Sequence, residues 1–180
     1  MSLPLTAPDP SLAALHEELG IPTDYAMHRG LEPQPEAKSS ELVVVATEPS
    51  EIRLIAPAAA AWAQMRATAL RDGIRLTPIS GFRSVAYQAD LIRRKLARGQ
   101  TIDEILRVNT APGFSEHHTG RAIDLGTPSE PPLAESFAES SAYAWLAWHA
   151  ARYGFALTYP KNHYSGITFE PWHWCWHAAE

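Results

Sequence analysis

The chain has 180 residues, of which 46% are hydrophobic, and this length favours a single core. Its formal net charge of −5, from 15 basic and 20 acidic residues, argues against a nucleic-acid partner. Cys175 is the single cysteine, and the sequence shows neither a signal peptide nor a membrane span, so we expect no disulfide, no membrane insertion and a cytoplasmic location. A periplasmic location is the alternative if a signal peptide has been removed.

The first forty residues predict an arm that precedes the main domain. Asp9, Pro10 and Ser11 suit the start of a short helix that Gly20 ends, and a polar connection with several prolines follows to about residue 41. We therefore divide the chain into an N-terminal arm, residues 1–41, and a single domain, residues 42–180.

Residues 42–73 predict a hairpin and then a helix. Two apolar runs, Leu42–Ala46 and Ile52–Ile55, suit the strands of the hairpin. The helix lies between Pro57, which suits a first helical turn, and Gly73, which suits the position after a helix end. Three large apolar residues recur within it at near-helical spacing and support the helix: Trp62, Met65 and Leu70.

The remaining chain mixes strands, helices and one loop. Strands are predicted over three ranges: Ile74–Ser80, Phe155–Tyr159 and Trp172–Trp176. Helices are predicted where a hydroxyl can cap the first turn: after Ser84 to about Arg98, from Thr101 with Glu104 as a capping box, and after Ser140 or Ser141 to near Gly154. Residues 109–119 lack periodicity and predict a loop. This mixture without regular alternation predicts an α+β fold, with a small antiparallel sheet flanked by helices.

The candidate chemistry begins in the segment Ser115–Asp124. His117 and Asp124 lie seven residues apart, which on a helix would separate them by roughly 10 Å along the axis. A loop that enters a strand would bring them closer together. In such a strand Gly120 and Ala122 would share the face of Asp124 and leave room beside its carboxylate, while Ile123 would point to the core.

A second segment adds Glu170 and His173. Catalytic zinc sites use three protein ligands, leave a fourth position open to water and place a carboxylate nearby as general base. His117, Asp124 and His173 fit the ligand positions for one zinc ion, and Glu170 fits the base. Taken singly, each has an ordinary alternative: a packed or surface histidine, an aspartate at a strand end, or a glutamate that begins a turn.

The same segments resemble the signatures of a known superfamily. The first fits S-x-H-x-x-G-x-A-x-D and the second fits E-P-W-H, in the order found in the LAS superfamily, named for lysostaphin, D-Ala-D-Ala metallopeptidases and sonic hedgehog. Within it the chain resembles the VanY-type D,D- and L,D-carboxypeptidases over about residues 76–176. Further stretches carry the resemblance: Ser80–Ser84, Tyr87–Gln88, Ala111–Ser115 and Tyr153–Phe155.

This resemblance implies the LAS fold, the same three zinc ligands and Glu170 as catalytic base. It also implies that Arg83 stabilises the scissile carbonyl as it becomes an oxyanion, a role that its fixed charge suits. Gln88 and Ser115 match positions that line the substrate cleft. The alternative for Arg83 is a surface ion pair, and Gln88 and Ser115 have a purely structural alternative.

Four other side chains that can bind metals match no ligand position of the signatures: His118, His149, His163 and Cys175. We expect His118 behind a ligand or exposed to solvent, and Cys175 as a small buried apolar residue. Three tryptophans alternate on the face opposite His173 and predict packing of the sheet against a helix, with a cleft wall as the alternative: Trp172, Trp174 and Trp176.

Together, the residues and the resemblance imply a zinc metallocarboxypeptidase that removes the C-terminal D-alanine from peptidoglycan stem peptides or muropeptides, in wall recycling or remodelling. A cytoplasmic location favours L,D over D,D specificity, because a D,D enzyme there would destroy precursors of new wall. Two alternatives are a lysin-like peptidoglycan endopeptidase and a zinc-containing binding module without hydrolysis. The joint presence of Glu170 and Arg83 argues against the binding module.

Overall fold

The computed structural model describes residues 10–178, which form helices around two antiparallel sheets. This arrangement confirms the predicted α+β class. The helices are α1 Pro10–Glu18, α2 Tyr25–Arg29, α3 Ala56–Arg71, α4 Val85–Leu96, α5 Ile102–Val108 and α6 Ser141–His149. The strands are β1 Leu42–Ala46, β2 Ile52–Ile55, β3 Thr77–Ser80, β4 Ala122–Gly126, β5 Phe155–Leu157 and β6 His173–Trp176. Within the described range, every helix is too short or too polar to cross a membrane.

The larger sheet fixes the geometry on which the candidate site is built. Its strand order is β3-β4-β6-β5, and each neighbouring pair is antiparallel. All five residues of β4 are buried, as expected for an inner strand. The register of β4 against β6 places Asp124 opposite His173 and Ile123 opposite Trp174. The smaller sheet is the predicted hairpin of β1 and β2.

The main core lies between the larger sheet, α3 and α6. Ile123 and Leu125 of β4 belong to it together with Trp62 and Met65 of α3. The predicted packing of the tryptophans is confirmed, since Trp174 is buried in this core, and Trp172 and Trp176 are partly buried against it.

Leu70 of α3 does not share the buried face of Met65. Leu70 is 62% exposed, whereas Ala69 is fully buried. Ala69 stands four residues after Met65, and residues at that spacing share one face of a helix. Leu70 is turned about 100° further round the axis and therefore faces solvent.

Several predicted caps form, and one of them explains why a strand is shorter than predicted. Ser84, Thr101 and Ser140 each accept a hydrogen bond from a backbone N–H of their own helix. At the end of α3, the N–H of Ile74 bonds to the carbonyl of Ala69, and Gly73 is left-handed. Ile74 thus belongs to the helix cap, and β3 begins only at Thr77. Residues 158, 159 and 172 also lie outside the strands predicted for them.

The N-terminal arm packs against α4 and α5 in a second apolar cluster. Leu19, Ile21 and Tyr25 are buried there against residues that include Ile92 and Ile105. The polar connection predicted after Gly20 is more structured than expected, because it contains α2 and a single turn of 3-10 helix, Ser39–Glu41. Asp9, the predicted start of α1, lies outside the described residues. The domain division at residue 41 stays a prediction.

The contrast between a buried and an exposed side chain of α3 gives a test of this packing. Met65→Ala removes a fully buried side chain, so we expect a loss of about 2–5 kcal/mol in the free energy of unfolding. Leu70→Ala on the same helix removes an exposed side chain, and a change within about 0.5 kcal/mol is expected. Urea denaturation measures both, and equal losses would contradict the observed orientation of α3.

Candidate metal centre and cleft

The structure brings together the three side chains predicted as metal ligands. His117, Asp124 and His173 are all buried, and one donor atom from each lies within 4.8 Å of the other two. Asp124 and His173 meet across the β4–β6 register. His117 arrives from a 3-10 helix, Glu116–Thr119, that precedes β4. The predicted arrangement, a loop that enters a strand, is therefore confirmed.

Gly120 makes the turn from this 3-10 helix into β4. Its φ of 66° lies in the left-handed region that favours glycine. A Cβ atom there would lie 2.9 Å from the side chain of Leu42 and 3.0 Å from that of Ile55. Any larger residue would therefore disturb the turn that delivers His117.

The orientation of the His117 ring leaves a lone pair free for a cation. Its Nδ1 lies 2.6 Å from the carbonyl oxygen of Gly81. A carbonyl can only accept, so Nδ1 carries the hydrogen and Nε2 carries the lone pair. Nε2 lies 3.3 Å from Oδ2 of Asp124, and it is a buried atom without a hydrogen-bond partner among the described residues. Two imidazoles and a carboxylate are a donor set that suits zinc.

Charge in the cluster is set by burial and by the mutual contacts of its members. Burial alone would raise the pKa of Asp124, but the two histidines hold it well below its usual range. Burial and the nearby Arg83 lower the pKa of His117 to about 4. Burial would lower the pKa of His173 as well, yet hydrogen bonds to Asp124 and Glu116 raise it to about 10. Without a metal, these pKa shifts favour the neutral form of His117 and the protonated form of His173.

Glu170 lies beside this cluster, and the pKa of its carboxyl group is raised. Its backbone N–H donates to the carbonyl of Tyr159, and its own carbonyl accepts from the N–H of His173, each at 3.1 Å. Burial raises the pKa of the Glu170 carboxyl to about 7, partly offset by the positive charge of His173. A carboxyl group with this pKa can both take up and release a proton near neutral pH.

One cavity collects the predicted functional side chains. Six of the seven line it: Arg83, Gln88, Ser115, His117, Glu170 and His173. The seventh, Asp124, contacts both histidines. The site residues chosen from sequence are thus neighbours in space, while their individual roles stay predictions.

Arg83 and Gln88 line this cavity, and each has one buried polar atom without a hydrogen-bond partner among the described residues. For Arg83 the atom is Nε, and its Nη2 lies 3.9 Å from Oδ2 of Asp124, so its ion pair is internal to the site. For Gln88 the atom is Oε1, while its Nε2 donates to the carbonyl of Thr110 at 2.8 Å. Ser115 is buried, and its carbonyl accepts from the N–H of His118.

The other candidate metal ligands lie outside the cluster. Cys175 is buried, as predicted, and burial raises the pKa of its thiol. His149 stacks on Trp145 with ring centroids 4.6 Å apart, and Nδ1 of His163 hydrogen-bonds to Ser165. His118 is fully buried, so solvent exposure, one of the two expectations for it, is wrong.

His118 is a structural link between two loops. Its Nδ1–H donates to the carbonyl of Arg83 at 2.6 Å, and its Nε2 accepts from the N–H of Gly113 at 3.1 Å. The arm holds the same loop from outside: the N–H groups of Gln34 and Ala37 donate to the carbonyls of Gly113 and His118. The loop that carries His117 is therefore fixed on both sides.

Two further residues contact the site that were not among the predicted site residues. Glu116 bonds to Nε2 of His173 at 2.8 Å and accepts from the hydroxyl of Thr158 at 2.7 Å. Tyr159 packs its ring 5.0 Å from that of His173 and lines the cavity. Glu116 falls on a variable position of the signature, and its partner His173 lies 57 residues away, so local pattern carried no signal for the contact.

Comparison with known proteins gives a consistent family match. The model of the VanY family, described as D-alanyl-D-alanine carboxypeptidase, matches residues 51–179. YodJ of Bacillus subtilis (strain 168) is 30% identical over 172 residues, which cover 92% of this chain but only 59% of YodJ. VanXYC of Enterococcus gallinarum, a bifunctional D-Ala-D-Ala dipeptidase and D-Ala-D-Ala carboxypeptidase, is 31% identical over 73% of this chain and 71% of its own length.

Solved structures share the fold. The LdcB LD-carboxypeptidase superposes with a TM-score of 0.71 at 28% identity, over 81% of this chain and 74% of LdcB. A VanY D,D-pentapeptidase variant from a VanB-type resistance cassette, solved in complex with Zn(II), gives a TM-score of 0.61 at 22% identity, over 83% of this chain and 87% of its own. The LAS fold predicted from the signatures is confirmed.

The link made by His118 can be tested by its removal. His118→Ala leaves the buried N–H of Gly113 and the partly buried carbonyl of Arg83 without their partner, and an unsatisfied buried group costs about 1–3 kcal/mol of stability. We expect the free energy of unfolding to fall by about that amount or more, in urea denaturation. His149→Ala is the matched control, because among residues 10–178 that ring stacks on Trp145 and forms no hydrogen bond between loops. Equal effects of the two substitutions would contradict the structural role of His118.

Proposed function

The chain belongs to the VanY family of D-alanyl-D-alanine carboxypeptidases, and from that premise we propose that it is a zinc-dependent carboxypeptidase acting on peptidoglycan stem peptides. It would remove the C-terminal D-alanine. One observation carries the proposal: the two histidines of a buried His117–Asp124–His173 cluster line a single cavity together with Glu170.

His117, Asp124 and His173 would hold the zinc ion. The buried lone pair of His117 Nε2 supports this assignment, as does the Zn(II) bound by the VanY relative. A zinc ion bound by three protein ligands supplies Lewis acidity and lowers the pKa of water to near neutrality.

Glu170 would act as the general base and then the general acid. A buried carboxylate with a pKa of about 7 can take a proton from the attacking water and return it to the leaving amine of D-alanine. Both transfers run through the same side chain, so the carboxylate ends the cycle as it began. This assignment agrees with the position of Glu170 in the cavity beside His173.

Arg83 and Gln88 would handle the substrate. The guanidinium of Arg83 keeps its positive charge throughout, and a fixed charge near the scissile carbonyl stabilises the negative charge that develops on the carbonyl oxygen. The unpartnered Oε1 of Gln88 would accept an N–H of the peptide, while the bond of its Nε2 to Thr110 fixes the amide. Ser115 would line the cleft as a third substrate contact.

The stem tetrapeptide and the stem pentapeptide are the two candidate substrates. Relatives include an LD-carboxypeptidase and a D-Ala-D-Ala carboxypeptidase. A cytoplasmic location, which stays a prediction, favours the tetrapeptide and thus L,D cleavage during wall recycling.

Product analysis tests this proposal directly. The zinc-loaded protein is incubated with stem tetrapeptide and, separately, pentapeptide, and products are weighed by mass spectrometry. We expect loss of a single terminal D-alanine, with the tetrapeptide as the preferred substrate. Release of an internal fragment would favour an endopeptidase, and no D-alanine from either peptide would overturn the carboxypeptidase proposal.

Two substitutions separate metal binding from proton transfer. Glu170→Gln keeps the size of the side chain but removes its basicity, so we expect bound zinc to be retained and turnover to fall by about 10²–10⁴-fold. His173→Ala should lose both zinc and turnover. Elemental analysis and D-alanine release measure the two properties, and near-normal turnover of the glutamine variant would assign the base elsewhere.

A further inference from the structure

Glu116 contacts a candidate zinc ligand from the side that faces away from the cluster. The imidazole of His173 presents Nδ1 to Oδ1 of Asp124 at 3.1 Å and Nε2 to Oε2 of Glu116 at 2.8 Å. The ring is 3% exposed, so water has little access to either nitrogen. Asp124 and Glu116 therefore fix both ends of one buried imidazole.

The chemistry of imidazole determines which group donates the hydrogen bond between His173 and Glu116. A neutral ring that offers one nitrogen to a metal must carry its hydrogen on the other nitrogen. With Nδ1 toward Asp124 and the cluster, the N–H is on Nε2, and Glu116 is its acceptor. Carboxylates in this position fix both the tautomer and the rotation of a ligating histidine.

The carboxylate of Glu116 is itself held in place. The Thr158 hydroxyl donates to the same oxygen, Oε2, at 2.7 Å, and the Glu116 side chain is 16% exposed. Glu116 also lies directly before His117 on the 3-10 helix. That single turn thus delivers one ring to the cluster and the support for the other.

Two observations separate Glu116 from the ligands and from the substrate groups. Among the described residues, the metal-binding cluster consists of His117, Asp124 and His173 alone. Glu116 does not line the cavity of Arg83 and Glu170; it lines a second cavity, of about 190 Å³, with which the first shares Tyr159. Its contact with the site therefore runs through the His173 ring.

From this geometry we propose that Glu116 is a positioning residue for zinc binding: its carboxylate holds His173 with Nδ1 directed at the metal. The two histidines are then supported alike, since the carbonyl of Gly81 accepts from Nδ1 of His117 as Glu116 accepts from Nε2 of His173. The inference rests on the zinc site of the proposed function, but concerns metal affinity and not hydrolysis.

Zinc affinity, measured by chelator competition on the metal-free protein, tests the proposal. We expect Glu116→Ala to bind zinc about 10–100-fold more weakly than the unaltered protein, the usual effect of losing such a partner. Glu116→Gln keeps a carbonyl acceptor of similar reach, so its loss should be smaller. Glu116→Asp keeps the charge but is one methylene shorter, so it should resemble the alanine variant.

Chemical rescue and spectroscopy exclude a general effect on folding. The cavity beside Glu116 has room for formate, which should strengthen zinc binding by Glu116→Ala and leave the unaltered protein unchanged. The visible absorption of bound Co²⁺ should shift in the alanine variant, since the ring that ligates the ion is no longer fixed. Glu104→Ala, which loses the exposed carboxylate that caps α5, is the control for lost stability and should bind zinc normally.

The results that would overturn the positioning role of Glu116 differ from those that would overturn the carboxypeptidase proposal. The positioning role would be overturned if Glu116→Ala bound zinc with an affinity within about threefold of that of the unaltered protein and its Co²⁺ spectrum were unchanged. A loss of affinity that small is far less than such a partner contributes. If the alanine variant does not fold, the glutamine and aspartate variants give the same comparison. Absence of D-alanine release by the unaltered protein would overturn the carboxypeptidase proposal and leave the zinc measurements valid.

Discussion

A carboxylate buried between two imidazoles is the interaction on which the rest of the site depends. Asp124 is 4% exposed on an inner strand, where an uncompensated charge would be very costly. His173 compensates it from the facing strand and His117 from the preceding loop. The register of β4 and β6 also sets the core, because Ile123 and Trp174 pair on the opposite face. A slip of one residue would exchange the two faces and destroy both.

The need to place His117 beside Asp124 explains why several parts of the chain support the short loop before β4. His117 must reach Asp124 from outside the sheet, so the loop before β4 needs support that the sheet cannot give. Gly120 turns it, His118 ties it to the carbonyl of Arg83, and the arm bonds to it through Gln34 and Ala37. The family match begins only at residue 51, yet residues of the arm thus contribute to the position of a candidate ligand.

The predictable parts of the fold and of the site were those with local signals. Hydroxyl caps predicted helices after Ser84 and Thr101, and the two signatures predicted the three candidate ligands that the fold brings together. Contacts between distant segments gave no such signal. Glu116 meets His173 only because the strands bring them together, and the burial of His118 depends on carbonyl and N–H groups of two loops. Leu70 is apolar, yet its face of α3 is mostly exposed in the described part of the chain, so its side chain gave no guide to the core.

The most direct measurement of the central claim is X-ray absorption at the zinc edge of active protein purified without added metal. The account predicts about one zinc per chain, with two imidazole nitrogens at about 2.0–2.1 Å and a carboxylate oxygen at a similar distance. It would be contradicted by fully active protein without metal. A sulfur ligand at about 2.3 Å would also contradict it, because that ligand would be Cys175 and the cluster of His117, Asp124 and His173 would not be the site.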